Sequence, residues 1–390
     1  MSSSTPALTT KSLLRIVARD VGVLLGLFLA LELVLRLVAP QPVQRLLQGV
    51  YATDPTYGLT FAAGTSTVAN NGFGDHVFAI NSFQARDSEH GPKQPGELRI
   101  LVVGDSFSEN QAVDVDKLYA NVLEAELGKR LPGQRVTVIN AGMAGWGLWQ
   151  YYTYLDQWLA KIEPDLVVLS IGITGDFVFD AVQPAAAGMA LYHGQPVWPG
   201  GGWQRKAKFW AWYGVKLLDQ YSHAFVALRV ASYWPSLWLR VGSTPRLTAL
   251  VLDNALADKV REPTTQALKV LVKKAGSGGA KVAVLSVPMR YEALPEAQQE
   301  RIQWENPDLT RLDFNRPTRL LAELTAAAQV PLCDPRKALA AATEPTYFPR
   351  FDHWNEAGNR VVAQTLLGCL ERDGLLPAGQ APVGQIPAGR

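Results

Sequence analysis

The sequence predicts an α/β fold in which a mainly parallel sheet is covered by helices on both faces. Short apolar runs rich in β-branched residues alternate with longer segments of helical periodicity from residue 98 onwards. Strands of a parallel sheet are buried on both sides and therefore read as continuous apolar runs. The alternation favours this arrangement over an antiparallel sheet.

The elements follow one another in a regular order. The first strand, Arg99–Val103, ends at Gly104, and the next segment is an amphipathic helix. The apolar face of that helix is formed by Leu118, Val122, Leu123, Leu127 and Leu131. The remaining predicted elements are the strand Val136–Ile139, the helix Leu148–Ile162, and the strands Leu166–Ile171, Lys281–Val287 and Val330–Cys333. Helical patterns precede the last two strands, as a parallel sheet requires.

An apolar segment near the N-terminus, Val21–Ala39, is interrupted only by Glu32 and Arg36. As a helix it would span about 30 Å, which matches the hydrocarbon core of a bilayer. Three basic residues precede the segment: Lys11, Arg15 and Arg19. They predict a cytoplasmic N-terminus and a single-pass anchor, with the rest of the chain on the outer side. A cleaved signal peptide is the alternative, but no small-x-small cleavage site precedes Pro40.

The chain divides into five predicted regions. In order, they are a disordered cytoplasmic tail (1–12), a transmembrane signal anchor (13–39), a lead-in of short strands and loops (40–97), an α/β domain (98–372) and a disordered tail (373–390). A Trp-rich insertion, about residues 181–262, interrupts the α/β domain. Four interpretations fit its aromatic residues: a carbohydrate-stacking wall, an active-site lid, an interfacial patch near the membrane, or the core of a subdomain.

Composition excludes some classes of partner. The net charge of +2 provides no strongly basic surface, so we expect no nucleic-acid partner. No pair among the five histidines has the spacing of zinc ligands, and we expect neither a metal nor another cofactor. Cys333 and Cys369 could form one disulfide, although two separate buried thiols are the commoner arrangement.

Ser106 follows the first strand, at the edge of the sheet where ligands bind in open α/β folds. A hydroxyl on a strand-to-helix turn is exposed and has backbone N–H groups beside it, which suits acyl transfer. Gly-Asp-Ser alone also occurs as an ordinary turn with a capping Asp or Ser. His353 follows the last strand and precedes a helix, where a loop can bring it over the end of the first strand.

Four segments of the chain resemble, in order, the successive blocks of the SGNH (GDSL-type) hydrolases. They are Arg99–Ser108, Asn140–Gly142, the region from Gly172 to Asp180, and Asp352–Gly358. The segment Asn81–Arg86 also resembles the Asn-Ser-x-Gly-x-Arg lead-in of membrane-anchored bacterial members, with Gln84 in place of glycine. The resemblance extends from about Asn81 to Leu370.

The resemblance implies a flavodoxin-like, three-layer α/β/α fold and acyl-ester chemistry. It makes Ser106 the nucleophile, with its own N–H in the oxyanion hole and Gly142 as a second backbone donor. His353 would be the general base. The family places an aspartate two or three residues before this histidine, whereas Asp352 is adjacent to it. The orienting role therefore falls to Asp352 in a kinked loop or to a backbone carbonyl.

The third block departs from the family pattern. Where the family has Gly-Asn-Asp, this chain has Thr174-Gly175-Asp176, so Gly175 stands at the position of the oxyanion-binding asparagine. Four replacements for that donor are open: the side chain of Asn110, the side chain of Thr174, the N–H of Gly175, or a water.

Three functions fit these features. The first is a serine esterase that removes an acyl group, with acetyl as the leading candidate, from a cell-surface glycan or lipid on the periplasmic side of the cytoplasmic membrane. The second is an exopolysaccharide O-acetyltransferase with the same acyl-enzyme, since similar domains serve alginate acetylation. The third is a catalytically impaired glycan-binding or assembly protein that keeps the fold.

Overall fold

The computed structural model describes residues 10–41, 43–45, 47–54, 58–71, 73–173, 190–192, 195–197, 203–229, 251, 254–305, 308–349 and 352–377. The chain divides into two compact units. The smaller unit comprises Met1–Leu46, Asn70–Gly74 and Gly202–Val241, and the larger one comprises Leu47–Ala69, Asp75–Gly201 and Gly242–Arg390.

The described strands are β1 (Gln44–Arg45), β2 (Tyr51–Asp54), β3 (Gly58–Phe61), β4 (Ser66–Asn71), β5 (His76–Ala79), β6 (Leu98–Gly104), β7 (Val136–Gly142), β8 (Leu166–Ile171), β9 (Ala190–Tyr192), β10 (Gln195–Val197), β11 (Lys281–Ser286) and β12 (Leu332–Cys333). The described helices are α1 (Thr10–Val38), α2 (Ser106–Glu109), α3 (Tyr119–Arg130), α4 (Leu148–Ile162), α5 (Trp203–Tyr221), α6 (Asn254–Ala275), α7 (Arg290–Ala293), α8 (Pro295–Glu305), α9 (Arg316–Ala327), α10 (Arg336–Ala341) and α11 (Glu356–Arg372).

The larger unit is built on a five-stranded parallel sheet in the order β12-β11-β8-β6-β7. The strand order reverses between β6 and β8, which is the flavodoxin-like arrangement and creates a crevice at the carboxyl ends of these two strands. Every predicted strand from residue 98 onwards is present, and α4 and β8 have the predicted bounds. The predicted α/β fold is therefore confirmed.

Alternating residues of the strands pack into two separate cores. On one face, Leu101 and Val103 of β6 lie in a cluster with residues of α4, α6 and α9. On the other face, Ile100 and Val102 lie in a cluster with residues of α3, α10 and α11. These four side chains are fully buried, and each such burial contributes about 1.5–3 kcal/mol. The result is three layers, with the parallel sheet in the middle.

The two cysteines form a disulfide between β12 and α11. Their Cα atoms are 5.8 Å apart, which is the usual separation for a bridge. Of the two arrangements that the sequence leaves open, the structure has the disulfide. Leu367 and Leu370 of α11 pack in the same core as β12, and this packing brings Cys369 up to Cys333.

The lead-in to the domain forms two antiparallel hairpins, β2–β3 and β4–β5. After them, Arg86 is fully buried and donates hydrogen bonds to the carbonyls of Asn110 (2.6 Å) and Val113 (2.8 Å). Gln84 has a φ of +58°, in the left-handed region that favours glycine. The backbone thus explains why the related lead-in has glycine at the position of Gln84.

The smaller unit contains α1 and α5. Within the described residues, one helix is long and apolar enough to cross a membrane by length and composition, and it covers Leu13–Val38. Because α1 begins at Thr10, it includes the last residues of the predicted N-terminal tail. Residues 1–9 and 378–390, which hold most of the predicted tails, lie outside the described residues.

Candidate active site

Ser106 is the first residue of α2, directly beyond the end of β6. The carboxylate of Asp105 caps this helix by accepting a hydrogen bond from the N–H of Phe107 (2.9 Å). A side chain at Gly104 would collide with Ser108, because the chain turns back sharply onto the strand. The glycine therefore allows the turn that holds Ser106, half-buried, at the edge of the sheet.

The structure brings His353 onto Ser106, as the sequence predicts. The Nε2 atom of His353 lies 2.8 Å from the Oγ atom of Ser106, although 247 positions separate the two residues. The ring of Phe107 stacks on the imidazole, with centroids 4.3 Å apart and an interplanar angle of 17°. The next residue of α2 therefore holds one face of the imidazole next to the hydroxyl.

The loop that carries His353 is fixed by Trp354. Its indole is fully buried and contacts Phe107 edge-on, with centroids 4.9 Å apart. The side-chain amide of Asn110 donates to the Trp354 carbonyl (2.7 Å), and that of Asn359 does so more weakly (3.3 Å). The Asn110 amide is thus engaged in holding the histidine loop, which argues against its use as the replacement oxyanion donor.

Burial lowers the pKa of His353 to about 4. The imidazole is therefore neutral at pH 7, and its Nε2 can accept the Ser106 proton. A cationic imidazole could not act as a base. The geometry and the lowered pKa both suit general-base catalysis.

Asp352 has a partner other than the histidine. Its Oδ2 accepts a hydrogen bond from Arg301 of α8 at 2.9 Å, as part of a salt bridge. Burial accounts for the lowered pKa of His353. The role of Asp352 in orienting His353 stays a prediction, and its observed contact is with Arg301.

Gly142 lies at the end of β7, opposite Gly104. It is buried, and a Cβ there would collide with the side chain of Ser108 and approach the backbone N of Glu109 to 2.8 Å. The close packing of α2 on β7 therefore requires glycine at this position. Its predicted role as an oxyanion donor stays a prediction.

The loop after β7 offers another backbone donor, Gly145, which the sequence analysis missed. Gly145 is exposed and has a φ of +80°, and a Cβ there would meet open space. Its N–H has no hydrogen-bond partner among the described residues. The neighbouring N–H groups that are hydrogen bonded are those of Met143, Ala144, Trp146 and Gly147. Two glycines close together in the sequence, Gly145 and Gly147, were the available signal.

Glu109 is a second residue that the sequence analysis missed. Its buried carboxylate accepts the N–H of Ala144 and the side-chain amide of Gln111, and burial raises its pKa. This side chain links the nucleophile's helix to the loop that carries Gly145. A glutamate three residues after Ser106, in the same predicted turn, was the signal for it.

Gly175, together with Thr174 and Asp176, lies outside the described residues. The N–H of Ser106, the first donor of the predicted oxyanion hole, has no partner among the described residues and is available for a ligand. Backbone donors of this kind stabilise the negative charge that develops on an ester oxygen.

The serine–histidine pair lies at the carboxyl end of β6, beside the crevice where the strand order of the parallel sheet reverses. A pair of this kind on an α/β fold is the arrangement of a serine hydrolase. The family model described as GDSL-like lipase/acylhydrolase matches residues 102–361, which is more than half of the chain. The chain therefore belongs to the GDSL-like lipase/acylhydrolase family and is an ester-cleaving hydrolase. No curated protein matches it.

Several solved structures are similar to the chain at low identity. TesA is 15% identical, covers 71% of this chain and 99% of its own, and has a TM-score of 0.38. A family 3 carbohydrate esterase from Clostridium thermocellum is 13% identical, with coverages of 71% and 96% and a TM-score of 0.37. A catalytic mutant of the acetylxylan esterase Axe2 from Geobacillus stearothermophilus is 13% identical, with coverages of 70% and 94% and a TM-score of 0.37. Likenesses with TM-scores this low do not bear on the substrate.

Proposed function

We propose that this chain is a membrane-anchored serine esterase that removes an acyl group, acetyl first among the candidates, from a glycan or lipid outside the cytoplasmic membrane. The observation that carries the proposal is the 2.8 Å contact between Ser106 Oγ and His353 Nε2. A serine this close to a neutral imidazole is the usual arrangement for forming an acyl-enzyme.

The first step is the attack of Ser106 Oγ on the ester carbonyl carbon, while His353 Nε2 takes the hydroxyl proton. The carbonyl oxygen becomes an oxyanion, which accepts hydrogen bonds from the N–H groups of Ser106 and Gly145. His353 then gives its proton to the leaving alcohol oxygen as the ester C–O bond breaks. The acyl group remains on Ser106.

In the second step a water attacks the acyl-enzyme, and His353 takes one of its protons. Collapse of the second oxyanion breaks the bond to Ser106 Oγ, and the proton passes to that oxygen. The acid is released and the hydroxyl is restored. A sugar hydroxyl in place of water would make the same site a transferase, and an oligosaccharide acceptor in the assay distinguishes the two.

Two features support a location outside the cytoplasm. The apolar helix α1 has the length of a membrane span, and three basic residues lie near its start. The Cys333–Cys369 disulfide belongs to an oxidising compartment such as the periplasm. Both features support the proposed position of the ester-cleaving site on the outer side of the cytoplasmic membrane.

The test uses the full chain in detergent with p-nitrophenyl acetate and, separately, a fluorophosphonate probe. Ser106→Ala is expected to abolish both turnover and labelling. Ser277→Ala is the matched control, because its exposed hydroxyl bonds the carbonyl of Lys274 in a turn outside the site. Equal turnover by the wild type and Ser106→Ala would refute the proposal.

A further inference from the structure

One face of α5 carries apolar residues that the protein leaves exposed. We call this face the exposed stripe, and it consists of Trp203, Ala207, Trp210, Ala211, Leu218 and Tyr221. These positions recur every three, four or seven residues and so lie on one side of the helix. The tryptophan side chains are 77% and 46% exposed and Tyr221 is 62% exposed. An apolar face of this extent marks an interaction surface.

The other side of α5 makes the contacts that hold the helix in its unit. Phe209 is buried and stacks on Tyr213, with ring centroids 5.6 Å apart. Asp219 is buried and forms a 2.8 Å salt bridge with Arg229. The helix is therefore held mainly through this side, although Trp210 of the exposed stripe also contacts Phe209 and Tyr213 edge-on, and Trp212 beside Phe209 remains 40% exposed.

The C-terminal end of α5 is attached to α1 by the charged side chains that interrupt the apolar segment. Glu32 accepts hydrogen bonds from the Ser222 hydroxyl (2.8 Å) and from the N–H groups of His223 (3.1 Å) and Ala224 (2.7 Å). These groups begin a short helical segment, residues 223–229. Arg36 donates to Glu32 and to the carbonyl of the last residue of α5.

The attachment point lies near the outer end of the predicted membrane span. The apolar part of α1, Leu13–Val38, has 26 residues and is therefore about 39 Å long, whereas the hydrocarbon core is about 30 Å thick. Arg15, Arg19 and Asp20 occupy the inner part of this length, so the hydrocarbon core covers Val21–Ala39, and Glu32 and Arg36 lie about 10 Å and 5 Å from its outer end. The attachment also reaches the end of the segment, because the backbone N–H of Gln41 donates to the imidazole of His223 (2.7 Å). The start of α5's attachment is therefore close to the lipid headgroups, where tryptophan and tyrosine side chains are favoured.

We propose that α5 lies on the outer surface of the membrane that α1 crosses, with the exposed stripe in the lipid. The sequence of α5 contains four basic residues and one aspartate, which suits a surface of anionic headgroups. The proposal rests on the α1 anchor of the proposed function and is independent of the esterase chemistry. It selects, for this part of the Trp-rich insertion, the interfacial patch from the four interpretations.

The test is site-directed spin labelling of the full chain in vesicles of phosphatidylethanolamine and phosphatidylglycerol. Both native cysteines are in the disulfide, so an introduced cysteine is the one free thiol. Labels are placed in the stripe through Ala211→Cys and Leu218→Cys, and on the opposite side of α5 through Lys216→Cys. Leu24→Cys reports a site inside α1, and Lys129→Cys reports an exposed site on the larger unit.

The readout is the ratio of label accessibility to oxygen and to a water-soluble nickel chelate, since oxygen concentrates in lipid. The stripe labels are expected to have a several-fold higher ratio than the Lys216→Cys and Lys129→Cys labels, and a lower one than Leu24→Cys. Turnover of p-nitrophenyl acetate is measured in the same vesicles as a separate test of the proposed esterase function.

Three outcomes overturn the proposal. In the first, the stripe labels have the same accessibility ratio as the Lys129→Cys label while the Leu24→Cys label has the ratio of a site in lipid. This result shows that α1 crosses the membrane but that α5 is in water. Stripe labels that are immobile and protected from both reagents show that protein covers the stripe. A water-exposed Leu24→Cys label refutes the anchor and the surface proposal together, and leaves the esterase test unaffected.

Discussion

The lowered pKa of His353 predicts an unusually acid-tolerant activity. The base is active when it is neutral, which requires a pH above its pKa. With a pKa of about 4, the imidazole is about 97% neutral at pH 5.5, whereas a histidine with the ordinary value of about 6.5 would be about 9% neutral. We therefore expect kcat/KM at pH 5.5 to stay near its value at pH 7 and to fall only as the pH approaches 4.

The measurement is kcat/KM for p-nitrophenyl acetate from pH 3.5 to 8, with circular dichroism at each pH to follow folding. Phe107→Ala is the informative variant, because removing the stacked ring exposes one face of the imidazole. Its acid limb is expected to move to higher pH, towards 6.5. An acid limb near pH 6.5 in the wild type would refute the assignment of a buried, neutral His353 as the base.

Three further predictions concern positions that support the site. Asn110→Asp removes the donor to the Trp354 carbonyl and is expected to lower kcat/KM about tenfold, since Asn359 compensates in part; unchanged kinetics would contradict this. Replacing both cysteines of the disulfide by alanine is expected to lower the free energy of unfolding by about 4 kcal/mol in urea titrations, from the 36-residue separation; an unchanged midpoint with an unchanged slope would argue against it. Gln84→Gly relieves a positive φ and is expected to raise the free energy of unfolding by about 0.5 kcal/mol, so a loss of stability would count against the strain.

The sheet was predictable because its strands are buried on both faces. Runs such as Leu166–Ile171 are apolar throughout, and helices such as Leu148–Ile162 have a regular apolar face. Ser106 and His353 were predictable because the turns that carry them follow strands of a recognisable sheet. At these positions the local sequence pattern and the overall fold favour the same structure, so the sequence alone is enough to predict it.

Other features depend on three-dimensional proximity that no local pattern records. Gly142 ends β7 and Gly145 follows it, and only the packing of α2 on β7 makes the first glycine crowded and leaves the second exposed. The side chains of Glu109 and Asn110 look like ordinary polar residues of a turn, yet each bonds a backbone group elsewhere in the chain. The cysteine pairing likewise follows from the meeting of β12 with α11.

The long separation of Ser106 and His353 along the chain has a consequence for the cell that makes this protein. During synthesis the hydroxyl emerges early, but its proton acceptor is translated 247 residues later. A nascent or prematurely terminated chain therefore has a serine without its general base and lacks the proton transfer that activates the hydroxyl. Ester cleavage by this pair therefore becomes possible only when almost the whole polypeptide has been made.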